Sequence, residues 1–186
     1  PFAEKVVTPY ILLLVTTPML ALVPLLILRF GFGYTPRIIA VALAAQGMKV
    51  IGTATTDAGA AAIGEALAPH GGSGLKLDVT DADQVQTMVA HAVASFGRLD
   101  VMFSNAGGAT PTPTEQQGLA DYRRIMALNL DAVYYAIHAA LPVMLAQGTG
   151  CFLTTSSGAG MNAATGLTVY GAAKAGVISL MKSIAT

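Results

Sequence analysis

Three side chains carry the first hint of chemistry. Tyr170 and Lys174 stand four residues apart in Val169-Tyr170-Gly171-Ala172-Ala173-Lys174, and Ser157 lies thirteen residues before the tyrosine in Leu153-Thr154-Thr155-Ser156-Ser157-Gly158. Residues four apart on a helix share a face, so the ammonium can sit beside the phenol. A phenol is a poor acid or base near neutrality, its unperturbed pKa being about 10, and a neighbouring cation favours the phenolate. A serine hydroxyl on an adjacent loop could hold a substrate oxygen against the phenol, completing a proton-transfer site beside a carbonyl or an alcohol. Tyr and Lys at this spacing are more often a half-buried phenol and a solvated amine, so the meaning of the pair depends on the elements that position it.

Those elements alternate. Arg37–Gln46 is an alanine-rich helix with Gly47 as its natural stop, and Lys49–Ala54 is a strand. Thr56–Ala68 is helical and ends at Pro69 and the glycines beyond it; Leu75–Val79 is the next strand. Thr80, with Asp83 three residues on, reads as a capping-box-like start to a helix that runs to Phe96 and stops at Gly97. Leu99–Ser104 is a strand, followed by a polar loop through Pro111 and Pro113 and a long helix over Leu119–Ala146. Cys151–Ser156 is a strand, and from Thr168 the chain is helical. Short apolar strands alternating with helices predict a parallel sheet covered on both faces, an α/β doubly wound, Rossmann-like three-layer sandwich. In such sheets ligands bind outside the carboxyl ends of the strands. Those ends, Thr53–Thr55, Asp78–Val79, Ser104–Gly107 and Ser156–Ser157, are small or polar, as a nucleotide crevice requires.

Composition narrows the function. The 186 residues suit one domain, 1–186, with a real core; 54% are hydrophobic, 11% are charged, and the formal net charge is zero. No basic stripe points to nucleic acid. The single cysteine, Cys151, cannot form an internal disulfide, and His70, His91 and His138 show no zinc spacing, so no metal site is expected. Charge is absent between Lys5 and Arg29, and Ile11–Phe30 is apolar and long enough to cross a bilayer, with Pro18 and Pro24 inside it. Three readings of that stretch stay open: a membrane anchor, a buried pair of strands, or sequence not selected for this fold.

With the order of motifs in view, the chain from about Arg37 to Thr186 resembles the short-chain dehydrogenase/reductase family, most closely its 3-oxoacyl-acyl-carrier-protein reductase type. The residues that carry the resemblance are Lys49–Thr55 (KVIGTAT), Leu77-Asp78-Val79-Thr80, Ser104-Asn105-Ala106-Gly107, Asn129 in Ala127-Leu128-Asn129-Leu130, and the Ser157, Tyr170, Lys174 set. Each motif alone is weak, whereas the ordered set is specific. The resemblance implies that Tyr170 is the general acid in carbonyl reduction and the base in alcohol oxidation. It implies that Lys174 favours the phenolate and bonds the nicotinamide ribose, that Ser157 orients the substrate oxygen, and that Asn129 holds a water in a proton relay. Thr55, Asp78, Val79, Asn105, Ala106 and Gly107, with Tyr170 and Lys174, are the implied cofactor contacts. No carboxylate follows the second strand until Asp57, which favours NADP(H) over NAD, although no arginine stands there to grip a phosphate; Arg37 is the candidate to reach it. The implied protein is a cytoplasmic oxidoreductase acting on a small-molecule carbonyl or alcohol. Relatives pair through the long helix and the Tyr-Lys helix, so Ile125, Val133 and Ile137 are either interface residues or simple packing onto the sheet.

The chain departs from that pattern at both ends. A first strand is expected at Glu4–Val7, but the Thr-Gly-x-x-x-Gly-x-Gly loop that should follow is replaced by an atypical apolar segment, 8–36, with only Gly31 and Gly33 and a proline where the third glycine belongs. The resemblance also implies a sheet incomplete at its C-terminal end, without the last strands and substrate lid. The alternative function is therefore a catalytically impaired reductase-like fragment or a membrane-anchored scaffold.

Overall fold

The structure, a computed structural model, describes residues 40–185 apart from residue 42. The strand expected at Glu4–Val7, the apolar segment 8–36 and the start of the helix expected over Arg37–Gln46 lie outside the described residues. That helix ends at Gly47, whose φ of 89° only glycine adopts freely. The chain forms two compact units that meet in sequence between Lys76 and Leu77.

In the first unit, strand β1 (Ile51–Ala54), helix α1 (Asp57–Leu67) and strand β2 (Ser73–Lys76) make a parallel βαβ hairpin. Ile51 pairs with Ser73 and Ala54 with Lys76. Thr56 caps α1, its hydroxyl accepting the Gly59 N–H at 3.1 Å. Leu67 and Ala60 are buried beneath the helix. The close fit of α1 on β2 depends on Gly74, where a Cβ would run into the Ala60 carbonyl and lie 2.7 Å from Gly64 N. The strand expected over Leu75–Val79 starts two residues earlier and stops at Lys76, because its partner β1 ends at Ala54. Asp78 then turns the chain away, its carboxylate accepting both the N–H and the hydroxyl of Thr80.

In the second unit, helix α2 (Ala82–Phe96) is capped by Asp81 rather than Thr80. Thr80 is committed to Asp78, while Asp81 accepts from the N–H groups of Asp83 and Gln84. Strands β3 (Val101–Ser104) and β4 (Cys151–Thr154) are parallel neighbours, Val101 opposite Cys151 and Ser104 opposite Thr154. Leu99 stays out of the ladder because the Gln147 side-chain amide takes both its N–H (2.8 Å) and its carbonyl (2.9 Å). The long helix is three segments: α3 (Leu119–Met126), a π-helical stretch (Ala127–Asp131) and α4 (Ala132–Gln147). Helix α5 (Thr168–Ile184) closes the chain.

Helix α4 buries two faces. Ala136, Ala139, Ala140 and Met144 pack with Leu77, Val85 and Val89, while Val133 and Ile137 pack with Val177 of α5. Phe152 of β4 packs against both groups. The run Leu119–Gln147 is long and apolar enough to cross a membrane by length and composition. Within it Val133, Ala136, Ile137, Ala139, Ala140 and Met144 are buried in these cores, while Leu119, Tyr122, Tyr134 and Leu145 are exposed. Ile125, Val133 and Ile137 are each at most 3% exposed, which assigns them to packing within the chain. Each unit thus holds one parallel pair, β1–β2 in the first and β3–β4 in the second, joined by a helical crossover, the connection from which doubly wound α/β folds are built.

Candidate active site

Helix α5 carries Tyr170 and Lys174 on one face, with the Lys174 Nζ 5.8 Å from the centroid of the Tyr170 ring. Ala173 and Val177, both fully buried, fix the helix against the core, and this draws Lys174 inward until only 2% of it is exposed. The ammonium donates to the Thr155 carbonyl at 2.9 Å, at the carboxyl end of β4. Burial pushes its pKa below the ordinary lysine value. One residue on, the Ser156 hydroxyl donates to the Lys174 carbonyl at 3.0 Å. The short turn Gly158–Gly160 then lies against α5, where a Cβ on Gly171 would stand 2.8 Å from the Ala159 carbonyl oxygen. Ser157 opens that turn, half-buried, its hydroxyl accepting the Ala159 N–H at 3.2 Å.

Asn129 comes from the π-helical stretch and is completely buried. A π turn inserts one residue into the helical ladder, which rotates the side chain that follows, and such turns recur at functional sites. Asn129 Oδ1 accepts the Gly108 N–H at 3.0 Å, and Nδ2 donates to the carbonyls of Gly108 and Ile125, both at 2.9 Å. The long helix thereby grips the loop that follows β3. A Cβ on Gly107 would sit 2.7 Å from Asn129 Oδ1 and 3.0 Å from Lys174 Nζ, so the bare glycine backbone is what lets both polar groups border one space. The same loop is tied to β4 by the Thr155 hydroxyl, which donates to Asn105 Oδ1 at 2.8 Å.

Asn105, Gly107, Asn129, Tyr170 and Lys174 are linked through these contacts, and the turn that Ser157 opens lies against the helix of Tyr170 and Lys174. Ala106 belongs to the same exposed strand end. Asp78 and Val79 stand apart from this group among the described contacts. Val79 packs on the core beside Leu77, and Asp78 is exposed, with the Thr80 hydroxyl and N–H holding its carboxyl below the usual carboxylate range. Thr55 is exposed in the first unit, at the end of β1. Sequence reasoning missed Thr155, whose carbonyl holds Lys174 and whose hydroxyl holds Asn105. Nothing in Thr154-Thr155-Ser156-Ser157 singles it out, because its role depends on two partners distant in sequence.

An ammonium has three N–H donors, and Lys174 uses one on a protein acceptor among the described residues. A buried cation with donors to spare, beside a side-chain-free backbone and small exposed residues, suits the hydroxyls of a ribose.

Comparison with known proteins agrees. The short chain dehydrogenase family profile matches residues 31–186. The chain is 36% identical over 149 residues to the 3-oxoacyl-acyl-carrier-protein reductase of Escherichia coli, covering 80% of this chain and 61% of that protein. It is 32% identical over 149 residues to a cyclohexanol dehydrogenase of Acinetobacter, covering 78% and 59%. A short-chain dehydrogenase from Streptomyces avermitilis superposes with a TM-score of 0.75 at 30% identity, over 82% of this chain and 55% of that one. A short-chain dehydrogenase/reductase from Burkholderia xenovorans gives a TM-score of 0.74 at 32% identity, over 83% and 59%. This chain spans about three fifths of the length of the curated relatives it matches. With the strand pairing, the buried lysine beside its tyrosine and the matched profile all in agreement, the chain belongs to the short-chain dehydrogenase family.

Proposed function

We propose that this protein is an NADP(H)-dependent oxidoreductase that reduces a small-molecule carbonyl, or oxidises the corresponding alcohol, at a Ser157–Tyr170–Lys174–Asn129 site. The observation that carries the reading is the buried Lys174 ammonium, held between the Tyr170 ring and the Gly107–Asn129 backbone grip.

A bound nicotinamide supplies the hydride. The chain's own work is to place the substrate oxygen and manage one proton. Ser157 hydrogen-bonds the substrate carbonyl oxygen, and Tyr170 gives that oxygen its phenolic proton as negative charge develops there. The phenolate left behind faces the Lys174 ammonium, whose charge is worth more in a desolvated site than in water. Asn129 spends both amide hydrogens on backbone carbonyls, so its first task is to fix the Gly107–Gly108 backbone. Oδ1 keeps one lone pair and Lys174 two N–H groups, and both border the space beside Gly107, which is where a relay water returning the proton to Tyr170 fits. Asn105, Ala106 and Gly107 line the nicotinamide side, Asp78 and Val79 receive the adenine, and Thr55 receives the ribose. The names of the relatives suggest 3-oxoacyl thioesters and cyclic ketones as the first substrates to try. A cytoplasmic enzyme of fatty acid synthesis, assembling with copies of itself, is the setting that goes with the first of these.

The test follows oxidation of NADPH in the presence of a 3-oxoacyl thioester or cyclohexanone. Tyr170→Phe keeps the ring and removes the proton, so turnover falls by about 100-fold or more, while the melting temperature and NADPH affinity stay near those of the parent. Wild-type turnover by Tyr170→Phe would remove the tyrosine from the mechanism.

A further inference from the structure

Strand β1 ends at Ala54, and its parallel partner across the ladder is Lys76, the last residue of β2. The segment Thr55–Asp57 and the Lys76 side chain therefore leave the sheet together, from its carboxyl edge. In dinucleotide-binding sheets this is where the adenosine ribose is read, a carboxylate there binding the 2′-hydroxyl. The first carboxylate after β1 is Asp57, and it is not free. Its Oδ2 meets Lys76 Nζ at 2.7 Å, with both side chains open to solvent, 84% and 56% exposed. Thr56 is committed as well, its hydroxyl capping α1 through the Gly59 N–H. Thr55, exposed, has no hydrogen-bond partner among the described residues.

We infer that Lys76 is the residue that discriminates between the two nicotinamide dinucleotides: it masks Asp57 when no nucleotide is bound and turns its ammonium to the 2′-phosphate of NADP(H) when one is. This deepens the oxidoreductase reading and rests on it. Three features of the site support the exchange. A lone carboxylate at this position would repel a phosphate and attract a ribose diol, and pairing it with Lys76 cancels that bias. A phosphate monoester carries close to two charges and three acceptor oxygens, against the single charge of a carboxylate, so it competes well for the same ammonium. The ion pair is solvent-exposed, so little holds it closed when a stronger partner arrives. The Lys76 ammonium also holds the Asp57 carboxyl below the usual carboxylate range, which keeps the mask ionised throughout the working range of pH. No arginine is needed, which accounts for its absence from the segment after β1.

The experiment measures binding rather than turnover. NADPH and NADH are titrated into the full chain by calorimetry, using the parent, Lys76→Met, Lys76→Arg and Asp57→Asn. Lys76→Met weakens NADPH by about 10-fold, the loss of one close charge contact, and leaves NADH unchanged or tighter, since the unmasked Asp57 carboxylate attracts a ribose diol. Lys76→Arg keeps the NADPH preference. Asp57→Asn tightens NADPH, since the ammonium no longer has to leave a carboxylate. Because the pair is on the surface, these variants fold, and far-ultraviolet circular dichroism checks that they do. An NADPH-to-NADH affinity ratio that Lys76→Met leaves unchanged, in a parent that binds nucleotide, overturns this inference and spares the oxidoreductase reading. A parent that binds neither nucleotide overturns both.

Discussion

An ammonium on a residue that is 2% exposed must exchange its hydration shell for protein acceptors, and Lys174 finds one, the Thr155 carbonyl. The mismatch costs stability, and on the proposed mechanism the same desolvation strengthens its pull on a phenolate at Tyr170. Burial lowers the folded-state pKa, so between that value and the ordinary one the unfolded chain binds more protons than the folded chain. Stability then rises with pH across that window, and the penalty is fully present below it. Lys174→Met removes both the penalty and the chemistry. It should melt higher than the parent near neutral pH, by about 1–3 kcal/mol in chemical denaturation, with the gap narrowing as the pH approaches the ordinary lysine pKa, and it should not turn over substrate. A variant less stable than the parent at every pH would show that the ammonium is fully compensated. That Lys174 lies beside Tyr170 on one helix face was legible from their four-residue spacing. The acceptor that makes its burial tolerable was not, because Thr155 lies nineteen residues away with nothing local to mark it.

At the scale of elements, the π-helical stretch decides the geometry of the site. Hydrophobic spacing over Leu119–Ala146 predicts one uninterrupted helix, and a single extra residue in the ladder disturbs that pattern too little to be read. The polar Asn129 within an apolar run is its one trace in the sequence. Asn129→Ala leaves the N–H and C=O of Gly108 without their Asn129 partner and removes a second bond to the Ile125 carbonyl, a loss of about 2–3 kcal/mol in urea denaturation. Gly108 lies on a loop, so water recovers part of this, and a loss below about 0.5 kcal/mol would mean the grip contributes nothing net. In the first unit the corresponding constraint is steric. Gly74→Ala drives a methyl into the Ala60 carbonyl and should cost about 2–4 kcal/mol, with α1 displaced from β2, as circular dichroism and denaturation would report. Both strands of that unit were foreseen, and so was the end of β1 at Ala54; the start of β1 and both ends of β2 were not, since the ladder between the two sets them.

For the whole molecule, the two ends of the cofactor place different demands on the chain. On the proposed reading, the nicotinamide-ribose end is met by residues of the second unit and the adenosine end by Lys76 and Asp57 of the first. The pyrophosphate needs backbone amides at a glycine-rich turn and a helix N-terminus, and the sequence offers only Gly31 and Gly33 with bulky neighbours. Replacing 8–36 with a short connection carrying Thr-Gly-x-x-x-Gly-x-Gly should therefore tighten NADPH by about 10-fold or more, read as a larger thermal shift at fixed nucleotide concentration. An unchanged shift would locate the affinity in the ribose and adenine contacts alone.

Period and order are local properties of a chain. Alternating short apolar runs and amphipathic helices, glycine stops, and the sequence of small polar strand ends determined the doubly wound class, and the family resemblance singled out Ser157, Tyr170, Lys174 and Asn129 as the site candidates. Burial, register and hydrogen-bond partnership are relations between distant residues. Only the tertiary structure decided that Lys174 is sealed against the Thr155 carbonyl, that Gly107 must lack a side chain for Asn129 and Lys174 to share its space, and that the first carboxylate after β1 is already taken by a lysine from the neighbouring strand. No spacing along one segment encodes such pairings, because they exist only once the sheet has set which strand ends lie side by side.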